Sequence, residues 1–318
     1  MTERKAAGKS IVRSGIKAAL RTIVIGLVCA GTGVSNAQPA DANSASAAAL
    51  RARYGLLRDQ LGNNPFQKPI YLESAETPDS VTGDIHALIE APFATVNASL
   101  NSAGNWCEIM MLHLNTKYCR ASAVNPREVL NVSIGKKYDQ VLDDAYRVVF
   151  AYHIAAQTPS YLRVQLKADE GPLSTRDYRI VLEAIPLERG QTFMRLSYSY
   201  HYGLAGRLAM QAYLGTIGRN KVGFTVTGRQ SSGAPLHIGG MRGVMERNTM
   251  RYYLAIESFL GALSVPPQAR REKGLHDWFA AIERYPRQLH EMALNEYLDM
   301  KRREFLRLDG VAPLRAPG

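Results

Sequence analysis

The sequence predicts an α+β fold in which a run of antiparallel strands precedes a long helix, and three observations predict it. Between Val129 and Tyr202, apolar and polar residues alternate over several long stretches. Short turn signals separate these stretches: Pro159, Asp169-Glu170-Gly171-Pro172 and Glu188-Arg189-Gly190. They leave no room for crossover helices, so neighbouring strands run antiparallel. After the strands, Tyr252, Ile256, Phe259, Leu260 and Leu263 recur at helical spacing.

The first 37 residues are set aside from the fold. Arg4, Lys5, Lys9, Arg13, Lys17 and Arg21 form a basic start. Thr22 to Gly31 is a short apolar stretch, about half of the roughly 20 residues that a spanning helix needs. Ser35-Asn36-Ala37 supplies the small residues of a cleavage site. The pattern predicts an export signal cleaved after Ala37 and a periplasmic protein; an uncleaved anchor is the alternative. Of 39 basic and 28 acidic residues, 33 and 27 remain after cleavage, a net charge of +6. That mildly basic surface is compatible with an anionic membrane surface. It is not the basic stripe of a nucleic-acid binder, so no nucleic acid is expected as a partner.

Cys29 leaves with the signal, and Cys107 and Cys119 remain. An even pair in an oxidising compartment reads as a disulfide, with two buried free thiols as the alternative.

In chain order, 38–48 reads as a lead. A helix over 43–62 follows, carrying Leu50, Tyr54, Leu57 and Leu61 and stopped by Gly62. Strands are expected at Pro69–Glu73 and Asp84–Glu90. The latter places Ile85, Ala87 and Ile89 on one face. A helix from Phe93 is expected to close at Trp106-Cys107. Strands follow at Val129–Ile134, Tyr146–Ile154, Tyr161–Lys167, Arg176–Glu188 and Thr192–Tyr202. The pattern then gives a helix at Leu204–Leu214, strands at Val222–Val226 and Leu236–Met245, and a helix capped by Asn248 or Thr249. Leu275–Tyr285 and Leu289–Leu306 form a helical hairpin broken at Pro286, and Leu308 onward is a tail. The expected divisions are 1–37, 38–66, 67–263 and 264–318.

Ile89-Glu-Ala-Pro-Phe-Ala-Thr-Val96, then Trp106, then strands and a long helix up to Leu263 resemble the START-like, or helix-grip, superfamily. The resemblance covers about Tyr71 to Leu263. It implies a curved antiparallel sheet gripping a long C-terminal helix, with N- and C-terminal helices added here. It also implies an apolar cavity for a lipid or similar hydrophobic molecule. A periplasmic carrier of such a ligand is therefore the first expectation.

G-x-S-x-G, H-E-x-x-H, the Walker loop and G-x-G-x-x-G are all absent from the sequence. No catalytic residue, metal or cofactor is expected on these grounds. The alternative is a cyclase or hydrolase in which His153 and His201, beside Tyr152 and Tyr202, meet across neighbouring strands. Alternation puts Tyr198, Tyr200 and Tyr202 on one face, where they line a pocket or pack against the next strand. Candidate ligand contacts are Trp106, Tyr152, Tyr198, Tyr200, Tyr202 and Arg251. Arg251 would hold an anionic head group, or with Glu246 would pair with neighbours on the surface. A third expectation is an envelope interaction protein docking through the helices of 264–318. Their basic residues, with Trp278, Phe279, Tyr297 and Phe305, suit a membrane surface.

Overall fold

The structure is a computed structural model that describes residues 39–124, 127–203, 206–208 and 221–310. The expected export signal, most of the expected 204–214 helix and the tail from 311 lie outside the described residues.

Helix α1 spans Pro39–Gly62. Ala47, Leu50, Leu57 and Leu61 form its buried stripe, and Asn64 closes its end through Nδ2 to the carbonyls of Gln60 and Leu61. Strands β1 (Ile70–Glu76) and β2 (Ser80–Ile89) make a hairpin.

Two helices follow where one was expected: α2 (Phe93–Leu100) and α3 (Ala103–Leu112). Ser102 starts α3 by accepting from the Asn105 N–H at 3.4 Å, and the Asn105 amide reaches back to the Ser99 carbonyl at 2.8 Å. Trp106 and Cys107 therefore lie inside a second helix, not at the end of a first. Met110, Met111 and Leu112 are helical core residues.

The meander is β3 (Thr116–Val124), β4 (Arg127–Ile134), β5 (Tyr146–Thr158), β6 (Tyr161–Glu170), β7 (Thr175–Pro186) and β8 (Thr192–Tyr202). All pairings are antiparallel, and the sheet order is β1-β2-β8-β7-β6-β5-β4-β3. The early hairpin thus joins the last strand of the meander. Arg189 and Gly190, both at positive φ, turn β7 into β8 as the Glu188-Arg189-Gly190 signal implied.

A small second sheet pairs β9 (Val226–Arg229) with β10 (Pro235–His237). The expected strand at 222–226 is displaced because the Phe224 and Thr225 N–H groups donate to the Glu246 carboxylate at 2.6 and 2.9 Å instead of to a ladder. The expected strand from Leu236 stops at His237. Gly240, at φ 64°, opens the long helix α4 (Gly240–Ala262) eight residues before Asn248. A glycine start gives no capping side chain for sequence reasoning to find.

α4 lies across β2, β1 and β8 on the sheet's inner face. Gly83 permits the approach, since a Cβ there would sit 2.9 Å from Met245 Cγ. α1 packs on the other face, with Tyr54 against Phe193 at 5.1 Å. An antiparallel sheet gripping one long helix is the helix-grip arrangement, with α1 added before it.

The C-terminal helices are α5 (Pro267–Glu283), α6 (Pro286–Leu289) and α7 (Leu294–Leu308). α5 begins earlier than expected because Pro267 occupies its first turn, where a missing N–H costs nothing. Trp278, Tyr297 and Phe305 are buried core residues, and Phe279 is partly buried against them. Lys301 is fully buried too, bound to Glu304 and the Thr116 carbonyl. Among the described residues, the large apolar side chains exposed here are Leu294 and Leu306. No helix among the described residues is long and apolar enough to cross a membrane.

Candidate ligand-binding face

Strand alternation aims Tyr152 of β5, Tyr178 of β7 and Tyr198, Tyr200 and Tyr202 of β8 at the inner face, and all five are buried. The rings of Tyr178, Tyr198, Tyr200 and Tyr202 form a connected surface. Tyr178 stacks on Tyr200 at 5.1 Å, Tyr198 lies 5.8 Å from Tyr200, and Phe150 meets Tyr178 edge-on at 6.4 Å. The helix completes it. Tyr252 of α4 meets Tyr198 edge-on at 5.5 Å and stacks on His113 at 4.9 Å. Tyr252 keeps some accessible surface although His113, Tyr178 and Tyr198 around it are buried.

The polar tips differ. The Tyr178 hydroxyl pairs with Thr175 Oγ1 at 2.6 Å, and the Tyr202 hydroxyl donates to the Thr77 carbonyl at 3.0 Å. The Tyr152 hydroxyl is enclosed with no hydrogen-bond partner among the described residues. His113 accepts the Asn115 N–H at Nδ1, 3.1 Å away, which puts its own proton on Nε2. That Nε2 is likewise enclosed and without a partner among the described residues.

Burial pushes the Tyr178 hydroxyl up to about 12, and Tyr152, Tyr198, Tyr200 and Tyr252 are raised by the same cause. Burial lowers His113 far below the usual imidazole range, helped by Arg251, Lys301, Lys137 and Lys117. At neutral pH the face is therefore uncharged: aromatic rings with protonated hydroxyls and a neutral imidazole. It offers stacking and hydrogen-bond donation.

The other expected site residues fall elsewhere. Trp106 is core, and its ring N–H donates to the Leu100 carbonyl at 2.8 Å, tying α3 to α2. Arg251 is buried, not at an open mouth, and is engaged by Glu291 at 2.7 Å and the Leu289 carbonyl at 3.3 Å. Glu246 is also buried, where a surface pairing was expected. His153 is exposed and His201 faces Asp177 at 3.5 Å on the outer side of the sheet. β6 and β7 separate their strands, so the His153–His201 pair does not form.

Cys107 and Cys119 are bonded, with Cα atoms 5.1 Å apart, and join α3 to β3. Among the described residues no cluster of His, Cys, Asp and Glu has the makeup of a metal site.

Sequence reasoning missed Tyr178 and His113 as members of this face. Tyr178 was legible from its alternation with Ile180 and Leu182, whereas His113 was not, because only the fold brings it to Tyr252.

Clefts formed by the described residues open elsewhere. One of about 430 Å³ lies between Leu112, Phe259, Arg271 and Phe305, and one of about 410 Å³ lies under α1.

No family model matches the chain, and no curated protein matches it. Solved structures do. A norcoclaurine synthase of Thalictrum flavum is 11% identical, covering 45% of this chain and 91% of its own, with a TM-score of 0.32. A STAR-related lipid transfer protein from Xanthomonas axonopodis is 13% identical, covering 46% and 86%, at 0.31. Human StAR-related lipid transfer protein 5 is 12% identical, covering 56% and 90%, at 0.29. These likenesses are distant and span about half of the chain. The helix-grip assignment rests on this chain's own strand order and on the helix laid across its inner face.

Proposed function

We propose that this chain is a periplasmic binding or carrier protein for a hydrophobic ligand, a lipid or similar molecule, received against the tyrosine-lined inner face of the sheet. The observation that carries the proposal is two enclosed polar groups on this face with no partner among the described residues: Nε2 of His113, whose ring stacks on Tyr252, and the Tyr152 hydroxyl. A buried polar group left unpaired costs about 1–3 kcal/mol, so such groups normally meet a ligand or an ordered water. The rings supply apolar contact and the two groups supply orientation. The rings fill much of this space, so a ligand enters by displacing them, and Tyr252 is the ring with surface to spare. Export is supported by the basic, apolar and small-residue order of the first 37 residues.

Native mass spectrometry of protein recovered from its own periplasm tests both halves. The expected result is a chain beginning at Gln38 with a copurified hydrophobic molecule, lost when Tyr152 becomes Phe and Tyr252 becomes Ala. Ligand-free protein that also fails to bind a fluorescent fatty acid in titration would defeat the carrier proposal.

A further inference from the structure

On the outer face of the sheet, α1 leaves a cleft of about 410 Å³ over five strands. Its polar walls are Arg53 of α1, Glu73 of β1, His86 of β2, Arg163 of β6, Glu183 of β7 and Arg195 of β8. The full sheet lies between it and the tyrosine face.

The carboxylates in this cleft are already occupied as acceptors. Glu183 accepts from the Tyr161 hydroxyl at 2.5 Å and from Arg195 Nη1 at 3.2 Å. Glu73 accepts from Arg53 Nη2 at 2.7 Å. Arg195 also gives its Nε and one Nη2 hydrogen to Asp84 Oδ1 at 3.0 and 2.8 Å, so all three of its nitrogens are engaged.

Two guanidiniums keep donors in reserve. Each carries five N–H groups in a planar fork. Arg53 commits one nitrogen to Glu73 and rests over the Tyr71 ring at 5.6 Å. Arg163 reaches Glu183 from Nη1 at 3.5 Å and the Gln165 amide oxygen from Nε and Nη2 at 3.1 and 3.3 Å, which leaves one N–H on each Nη outside these contacts.

His86 is 2% exposed, and its Nδ1 has no hydrogen-bond partner among the described residues. The nearest carboxylate oxygen, on Glu73, is 4.0 Å away, too far for a hydrogen bond. Burial, then the charges of Arg53 and Arg195, push His86 down to about 3, so the ring is neutral. It stacks on Phe193 at 6.0 Å, which fixes its plane.

We propose that this cleft is a second binding site, for a small molecule bearing a carboxylate or phosphate group, gripped by Arg53 and Arg163 with His86 as a neutral hydrogen-bond partner. Unused capacity in the cleft is donor capacity, and donors select an oxyanion. A cation would face three guanidiniums. A neutral polyol would need acceptors that Tyr161 and the arginines already occupy.

The test titrates the mature chain with inorganic phosphate and, separately, with succinate, against sodium chloride at matched ionic strength. The readouts are the His86 imidazole NMR resonances and the melting temperature. A saturable shift of His86 with a rise in melting temperature is expected, and the anion that produces it names the class. Arg53→Gln and Arg163→Gln each weaken binding about tenfold, as for the loss of one charge-assisted contact. The exposed Arg147→Gln leaves binding unchanged. Should a glutamine variant lose its cooperative melt, Arg163→Lys keeps the charge, removes the fork and is expected to weaken binding too. His86 shifts no larger than the chloride control with both anions, or equal affinity in the arginine variants, would overturn the proposal.

Discussion

At the scale of single residues, Glu291 gathers three cations around one carboxylate. Its carboxylate lies 2.6 Å from Lys137, 3.2 Å from Lys221 and 2.7 Å from Arg251, with 9% of the side chain exposed. Burial alone would raise its pKa; Arg251, Lys137 and Lys221 outweigh burial and hold it below the usual carboxylate range. Burial and the adjacent Arg251 pull Lys137 down to about 8 despite Glu291. Glu291→Gln would leave three cations facing one another, and is expected to cost about 3 kcal/mol or more in urea unfolding. Adding Lys137→Met should recover part of that loss; if E291Q unfolds at the wild-type midpoint, the cluster is not stabilising. His86 makes a separate prediction. Its pKa is about 3 in the fold against 6.5 in the free side chain, so between those values the unfolded chain holds a proton that the native state lacks. Stability contributed by this residue is present above pH 6.5 and is lost as pH falls toward 3. His86→Gln should flatten that part of a stability-against-pH profile, and an unchanged slope would contradict the assignment. The tyrosine face was readable because strand alternation is a local rule. The Glu291 cluster was not, because Lys137, Lys221, Arg251 and Glu291 meet only through the tertiary fold.

At the scale of elements, the disulfide joins the middle of α3 to β3. The pairing followed from cysteine count and the compartment expected from the first 37 residues, but its place on α3 did not. Ser102 starts a new helix within a stretch whose apolar spacing reads as one continuous helix from Phe93. Reduction is expected to lower stability by about 3 kcal/mol on the chain-entropy view. Guanidinium midpoints with and without reductant would measure it, and coincident curves would show that α3 and β3 are held by packing alone. Most strand limits were legible because Pro159, Gly171 and Gly190 mark turns that the backbone needs. The start of α4 was not, because Gly240 opens it without a cap and the Glu246 carboxylate redirects the segment before it.

At the scale of the molecule, one apolar core runs from β1 to α7. The 264–310 helices are part of it: Glu304 of α7 lies 3.0 Å from the fully buried Lys117 of β3, and the Tyr297 hydroxyl donates to the Leu112 carbonyl at 2.8 Å. A chain ending at Ala293 would bury Lys117 without its carboxylate. We expect it to lose the cooperative calorimetric transition of the longer chain. A sharp transition in the truncated chain would show that α7 is an appendage.

The pairing of β2 with β8 sets a timetable for assembly. Ser80 lies opposite His201 and Ile89 opposite Thr192, so the ladder joins an early hairpin to the end of the meander. The β3–β8 hairpins close over short loops and can zip as soon as each partner emerges. β2 has no permanent neighbour on that side until nearly the whole sheet has been made. Loop-closure entropy is met before the ladder returns any contact, which slows this step relative to the hairpins. For a chain threaded through a membrane pore, Ile85 and Ala87 would wait exposed while the later strands arrive. That interval is when an unfinished chain is most open to proteases and to pairing with another copy of itself.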